Sequence, residues 1–182
     1  MAIRAHEPER ETVQRIQRHR FAPSRRRNQD SASFVIRGIV RRSNTVEDAI
    51  KAVKAVRSAW TDVSPATREA IDLMLAILEL SDDAQEAAAV FGRLHAHYPS
   101  ARAALEKAKK YISAKHPGSE FRLEFGEDDV RLGMSFLYVS VPAKDYPTFK
   151  GIYDRVTRWW TKTFPEASGK IVIAPRSGRV DV

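Results

Sequence analysis

No cysteine occurs in this 182-residue chain, which excludes disulfides, thiolate zinc sites, iron–sulfur clusters and a cysteine nucleophile. Only eight glycines are present, and none falls in a G-x-G-x-x-G or P-loop arrangement. G-x-S-x-G and H-E-x-x-H are missing as well, so neither a phosphate-cradling loop nor a common hydrolase motif is written in the chain. No apolar run approaches the roughly eighteen residues that a membrane-spanning helix needs. The first residues carry no apolar stretch of a secretory signal, and Glu7, Glu9 and Glu11 are out of place in an organellar transit segment. With these classes set aside, the expectation is a non-enzymatic chain without cofactor or metal, at home in the cytoplasm.

A local lack is more informative. The first 42 residues contain no lysine, yet they hold eleven arginines against four acids, Glu7, Glu9, Glu11 and Asp30. The rest of the chain holds twenty basic residues against nineteen acids. Almost all of the net charge of +8 therefore sits on the first quarter. In "RIQRHRFAPSRRR", six arginines and His19 stand together without a single acid. Guanidinium groups pair with phosphate oxygens in a bidentate way and are weakly hydrated, which suits them to nucleic-acid backbones. Arg15, Arg18, Arg20, Arg25, Arg26 and Arg27 are the candidate phosphate contacts, and Phe21 is a candidate stacking residue for an unpaired base. RNA and DNA are equally served by such contacts. The competing reading docks the same arm on an acidic protein surface. That would make the chain an adaptor, a complex subunit or an antitoxin-like regulatory partner.

Apolar periodicity predicts an α+β organisation. Residues 1–30 form a basic arm with at most a short helical turn series from Glu9 to Arg20, and an arm so charged is expected to be disordered in isolation. Residues 31–182 are expected to form one α+β body, with a strand and helices over 31–117 and a ββαβ layer over 118–182. "FVIRGIV", Phe34 to Val40, is short, apolar and β-branched and reads as a strand. Four helices follow. The first is capped at Asn44 or Thr45, the second at Ser64 with Pro65 in its first turn. The third starts near Ser81 or Asp82, and the fourth runs from Ser100 to just before His116. "EFRLEF" alternates like a half-buried strand, "MSFLYVSV" is a second strand, Asp145 caps a helix through Phe164, and "GKIVIAP" closes as a third. If Phe34–Val40 joins the same sheet, the order becomes ferredoxin-like.

Several eye-catching groups have plain explanations. Trp159 and Trp160 share an arc of about 140° with Phe149, Ile152, Tyr153, Val156 and Phe164, which is the width of a core-facing helix side. His95 and His97 lie about 200° apart on a helix and cannot share an ion. His116 sits at a helix end, where a cation favours the dipole. Glu127, Asp128 and Asp129 lack calcium-loop spacing. Phe136 and Tyr138 share one face of their strand, but two buried faces are the expected reason for an apolar run there. Lys107, Lys109, Lys110 and Lys115 read as the charged outer side of one helix. Arg155 and Arg158 read as a minor cationic strip on another.

Overall fold

The structure is a computed structural model. It describes the backbone of residues 25–98, 100–125 and 134–178, and the side chains of 32–98, 100–124 and 134–177. Six helices and three strands follow in order: α1 (Arg25–Arg41), α2 (Val46–Ala59), α3 (Pro65–Leu78), α4 (Ala84–His97), α5 (Ala101–Lys115), β1 (Glu120–Phe125), β2 (Ser135–Pro142), α6 (Tyr146–Thr163) and β3 (Ile171–Gly178). The class is α+β. No helix of the described residues is long and apolar enough to cross a membrane.

The helix starts are set by side chains that satisfy the free N–H groups of the first turn. Thr45 accepts from the Asp48 N–H, Ser64 from Thr67, Asp83 from Glu86 and Asp145 from Thr148. Asp83, rather than Ser81 or Asp82, caps the third helix of the segment 45–116. Ser81 instead closes the end of α3, where its hydroxyl donates to the Ile77 carbonyl at 2.9 Å.

The Phe34–Val40 run is helical, a correction to the expected strand. It lies inside α1, where Ala32, Ile36, Ile39 and Val40 are buried and Phe34 is 76% exposed. Those four follow the i, i+4, i+7, i+8 spacing of one helix face, and that face packs on α2, α3 and α4. Burial on one helical stripe outweighs the β-propensity of Val35, Ile36, Ile39 and Val40. With that run helical, the first strand of the ferredoxin-like order is gone, and the described sheet has three strands.

The sheet order is β1-β2-β3. β1 and β2 are antiparallel, with Leu123 opposite Leu137, whereas β2 and β3 run parallel, with Leu137 opposite Ile173. The parallel pair is joined by α6, as a crossover requires. On the inner face Leu123, Leu137, Val139, Ile171 and Ile173 are buried in one cluster with the helices. The Leu123 N–H donates to the Leu80 carbonyl at 2.6 Å, so the α3–α4 corner closes the outer edge of β1 there. Trp160 anchors α6: its indole is 3% exposed and its Nε1–H donates to the Ile171 carbonyl at 3.0 Å. The core reading of Trp160 therefore matches the packing, Trp159 beside it is half-buried, and Tyr153, at the edge of the expected arc, is exposed instead.

Candidate nucleic-acid interface

The candidate phosphate contacts divide at the start of α1. Arg15, Arg18, Arg20 and Phe21 lie outside the described residues, as do the turn series from Glu9 to Arg20 and the Glu127–Asp129 group. Arg25, Arg26 and Arg27 form the first turn of α1, which contains no acidic residue. A helix start carries roughly half a positive charge, and carboxylates normally complement it. Three arginines at that end invert the usual arrangement. The expected boundary at residue 30 thus falls within a helix rather than at its edge.

The later arginines of the basic quarter behave differently. Arg37 is partly buried against α4, where an added Cβ on Gly92 would stand 2.9 Å from its guanidinium nitrogen. Gly92 is what allows so close an approach, and the Arg37 Nε is buried without a hydrogen-bond partner. The backbone carbonyl of Arg41 accepts from the Gln85 side chain. Arg37 and Arg41 tie α1 to α4 rather than extend a free arm.

The sheet's second face corrects another expectation. It is not covered by a helix among the described residues: Phe136, Tyr138 and Ser140 are half-buried while Leu137, Val139 and Val141 are fully buried. Register puts Arg122, Tyr138 and Ala174 side by side, with Glu124, Phe136 and Val172 in the next row and Glu120, Ser140 and Arg176 in the row beyond. The rings of Phe136 and Tyr138 stack at 5.8 Å and 15°. The Arg176 guanidinium carbon lies 3.4 Å from the Tyr138 ring centroid, a cation–π contact. Arg122 bonds Glu124 at 2.8 Å and Asp82 at 3.0 Å. The face balances its charges internally, and a base would have to displace Arg176 to stack on that side of Tyr138.

The histidines are placed by packing. His95 stacks on Phe91 at 5.2 Å and 5°, and His97 is exposed one turn-fraction away. The His97 carbonyl, at the end of α4, accepts from Lys170 Nζ at 2.7 Å, a cation at the favourable pole of the helix. His116 ends α5, where partial burial and then the charges of Arg155 and Lys115 hold its pKa below the ordinary imidazole value. Its surroundings disfavour a proton, the reverse of what its helix-end position predicts. No group of three or more His, Asp or Glu with metal-holding geometry occurs among the described residues.

An open cavity of about 230 Å³ lies between α2, α3 and α5, lined in part by Lys54, Arg57, Asp72, Glu79 and Arg102. Its charges are interlocked. Arg57 meets Asp72 at 3.1 Å, and Arg102 meets Glu69 at 2.9 Å, Glu106 at 3.3 Å and Asp72 at 3.8 Å. The hydrogen bond to Glu69 raises the Arg102 pKa above its ordinary value. Ion pairing is the chemistry this arrangement offers. Comparison with protein families, with characterised proteins and with solved structures finds no match to this chain.

Proposed function

We propose that this chain is a non-enzymatic nucleic-acid-binding protein that grips the phosphate backbone through its arginine-rich N-terminal segment. The observation that carries the reading is the placement of charge: eleven arginines against four acids in the first 42 residues, on a chain otherwise close to neutral. The first turn of α1 supports it, since Arg25, Arg26 and Arg27 stand there without an acid. Phosphate contacts orient without specifying, so base preference is slight and RNA and DNA both bind. The same reading assigns the protein to the cytoplasm, where a chain without cysteine loses nothing to reduction.

The test is a salt titration of oligonucleotide binding. If five or six arginines reach phosphates, log affinity falls with log salt at a slope of about −4 to −5. Changing Arg15, Arg18, Arg20, Arg25, Arg26 and Arg27 to Gln in the full chain removes most of that slope. A flat salt response of the unaltered protein sinks the proposal.

One observation favours a second reading, a protein-interaction or assembly module. β3 ends the sheet order, and strand addition at such an edge, along "KIVIAP", gives main-chain affinity for a partner peptide. There the arm docks on an acidic protein surface. Purification of the untagged protein separates the two: nuclease-sensitive material supports the first, and a stoichiometric protein companion supports the second.

A further inference from the structure

Two cationic strips that lie far apart in the sequence meet in space. The Tyr111 ring of α5 stacks on the Trp159 ring of α6, centroids 3.9 Å apart and planes 6° from parallel. Lys107 Nζ stands 5.9 Å from the Phe164 ring centroid, and Arg155 lies close enough to His116 to act on its proton affinity. Residue numbers rise along α5 as they fall along α6, so the two helices are antiparallel at this seam. At 3.6 residues per turn, Lys107 lies about 40° and Lys110 about 100° round α5 from Tyr111. Arg155, Lys162 and Arg158 lie about 40°, 60° and 100° round α6 from Trp159, which puts them along the rim of the stack. Lys115 stands at the end of the seam beside His116.

All six cations are exposed, and the described ion pairs are made by Arg57, Arg102 and Arg122 instead. Carboxylates are turned elsewhere. Glu106 of α5 stands one turn from both Arg102 and Lys110, and its described ion pair is with Arg102. Asp145 caps α6 through Thr148. Asp154 is one turn from Arg158 but forms no ion pair with it among the described residues. Six like charges on two packed helices repel one another, and no ion pair among the described residues offsets that cost. A polyanion does.

We propose that the α5–α6 seam, with Lys107, Lys110, Lys115, Arg155, Arg158 and Lys162, is a second phosphate-binding surface that carries the backbone of the nucleic acid held by the arginine arm. This rests on the proposed function and extends it from the arm to the folded body. The chemistry favours nucleic acid over a lipid surface. The large exposed apolar side chains are Phe34, Tyr146 and Tyr153, none of which lies in the seam, so nothing there inserts into an acyl layer. From Arg155 to Lys162 the strip runs roughly 10 Å at the helical rise, which matches about three phosphate-to-phosphate spacings along the axis of one strand.

The test uses the full chain and a fluorescent oligonucleotide of arbitrary sequence. With the seam engaged, the unaltered slope is steeper than the roughly −4 to −5 of the arm alone. Changing Lys110, Arg155, Arg158 and Lys162 together to Gln lowers its magnitude by about 3 to 4, while the far-ultraviolet circular dichroism is unchanged and the melt is not lowered. A second measurement on unaltered protein needs no variant: bound oligonucleotide protects Lys107, Lys110 and Lys115 from acetylation. Binding with an unchanged slope and no protection overturns the seam and leaves the arm reading standing. Failure of the unaltered chain to bind any oligonucleotide overturns both. Loss of binding in the seam variant but not in the arm variant keeps the seam and sinks the arm. Binding to phosphatidylserine–phosphatidylcholine vesicles in place of the oligonucleotide overturns the assignment to nucleic acid.

Discussion

On the side of α5 that faces α3, Arg102 is surrounded by Glu69, Glu106 and Asp72; along the seam with α6, Lys107, Lys110, Arg155, Arg158 and Lys162 make none of the described ion pairs, although Asp154 stands one turn from Arg158. One fifteen-residue helix thus borders a neutral network on one side and an unbalanced field on the other. Counting charge along the chain hides this, because residues 43–182 come close to neutral as a whole. The difference lies in where the acids point. Carboxylates of α3 and of α5 itself converge on one arginine, and the cations of the second flank are left outside the described ion pairs. Exposed ion pairs contribute little to stability, so the first flank is a local fit rather than a source of strength. The second flank is a cost that binding can recover.

The largest expected effect tests what holds the second flank together. Trp160→Ala removes a buried indole and its hydrogen bond to Ile171, and costs about 3 to 5 kcal/mol in urea denaturation. Trp159→Ala removes a half-buried ring stacked on Tyr111 and costs visibly less. Equal losses would mean that both indoles sit equally deep, against the half-buried position of Trp159.

Next in size is the neutral flank. Asp72 is 15% exposed and serves both Arg57 and Arg102, so Asp72→Asn breaks two ion pairs at once. The expected loss is about 1 kcal/mol, shrinking at high salt, read from denaturation midpoints at two ionic strengths. A loss that ignores salt would indicate packing rather than charge.

Periodicity and capping residues made the segment from α2 to α6 readable in the sequence. Thr45, Ser64 and Asp145 announce their helices, and the alternation of Phe121, Leu123 and Phe125 announces β1. The misread strand and the misread sheet face have different causes. A window of seven residues from Phe34 to Val40 is too short to separate a period of two from one of 3.6, and Ala32, just upstream, completes the helical stripe. Whether β2 has one buried face or two depends on which side the helices choose, and that choice is tertiary. The seam shows the same limit. Lys107, Lys110, Arg155 and Arg158 are each visible as cations on helices, but only the Tyr111–Trp159 stack brings them together. Of the arm, the chain reveals the charge, while its geometry before Arg25 lies outside the described residues.

A smaller effect isolates the repulsion itself. Changing Lys110 and Arg158 to Gln relieves like-charge contacts and raises stability by a few tenths of a kcal/mol in low salt. In about 1 M salt, where screening acts within roughly 3 Å, the variant and the unaltered chain melt together. Destabilisation in low salt would show that these cations have carboxylate partners after all.

The smallest expected shift has a single-residue reporter, His116. Burial is the first cause of its lowered pKa, and the positive charges of Arg155 and Lys115 add to it. Its folded value lies below its unfolded one, so acid favours the unfolded chain. The stability linked to His116 is present above the ordinary value of 6.5 and is lost as pH falls through the lowered one. Arg155→Gln removes one of the two charges and moves the imidazole midpoint part of the way back up, leaving the share due to burial. A bound oligonucleotide that neutralises the same arginine moves it in the same direction, followed by the ring proton signals in a nuclear magnetic resonance titration. If Arg155→Gln leaves the midpoint where it was, Arg155 does not face His116, and the antiparallel register on which the seam depends is wrong.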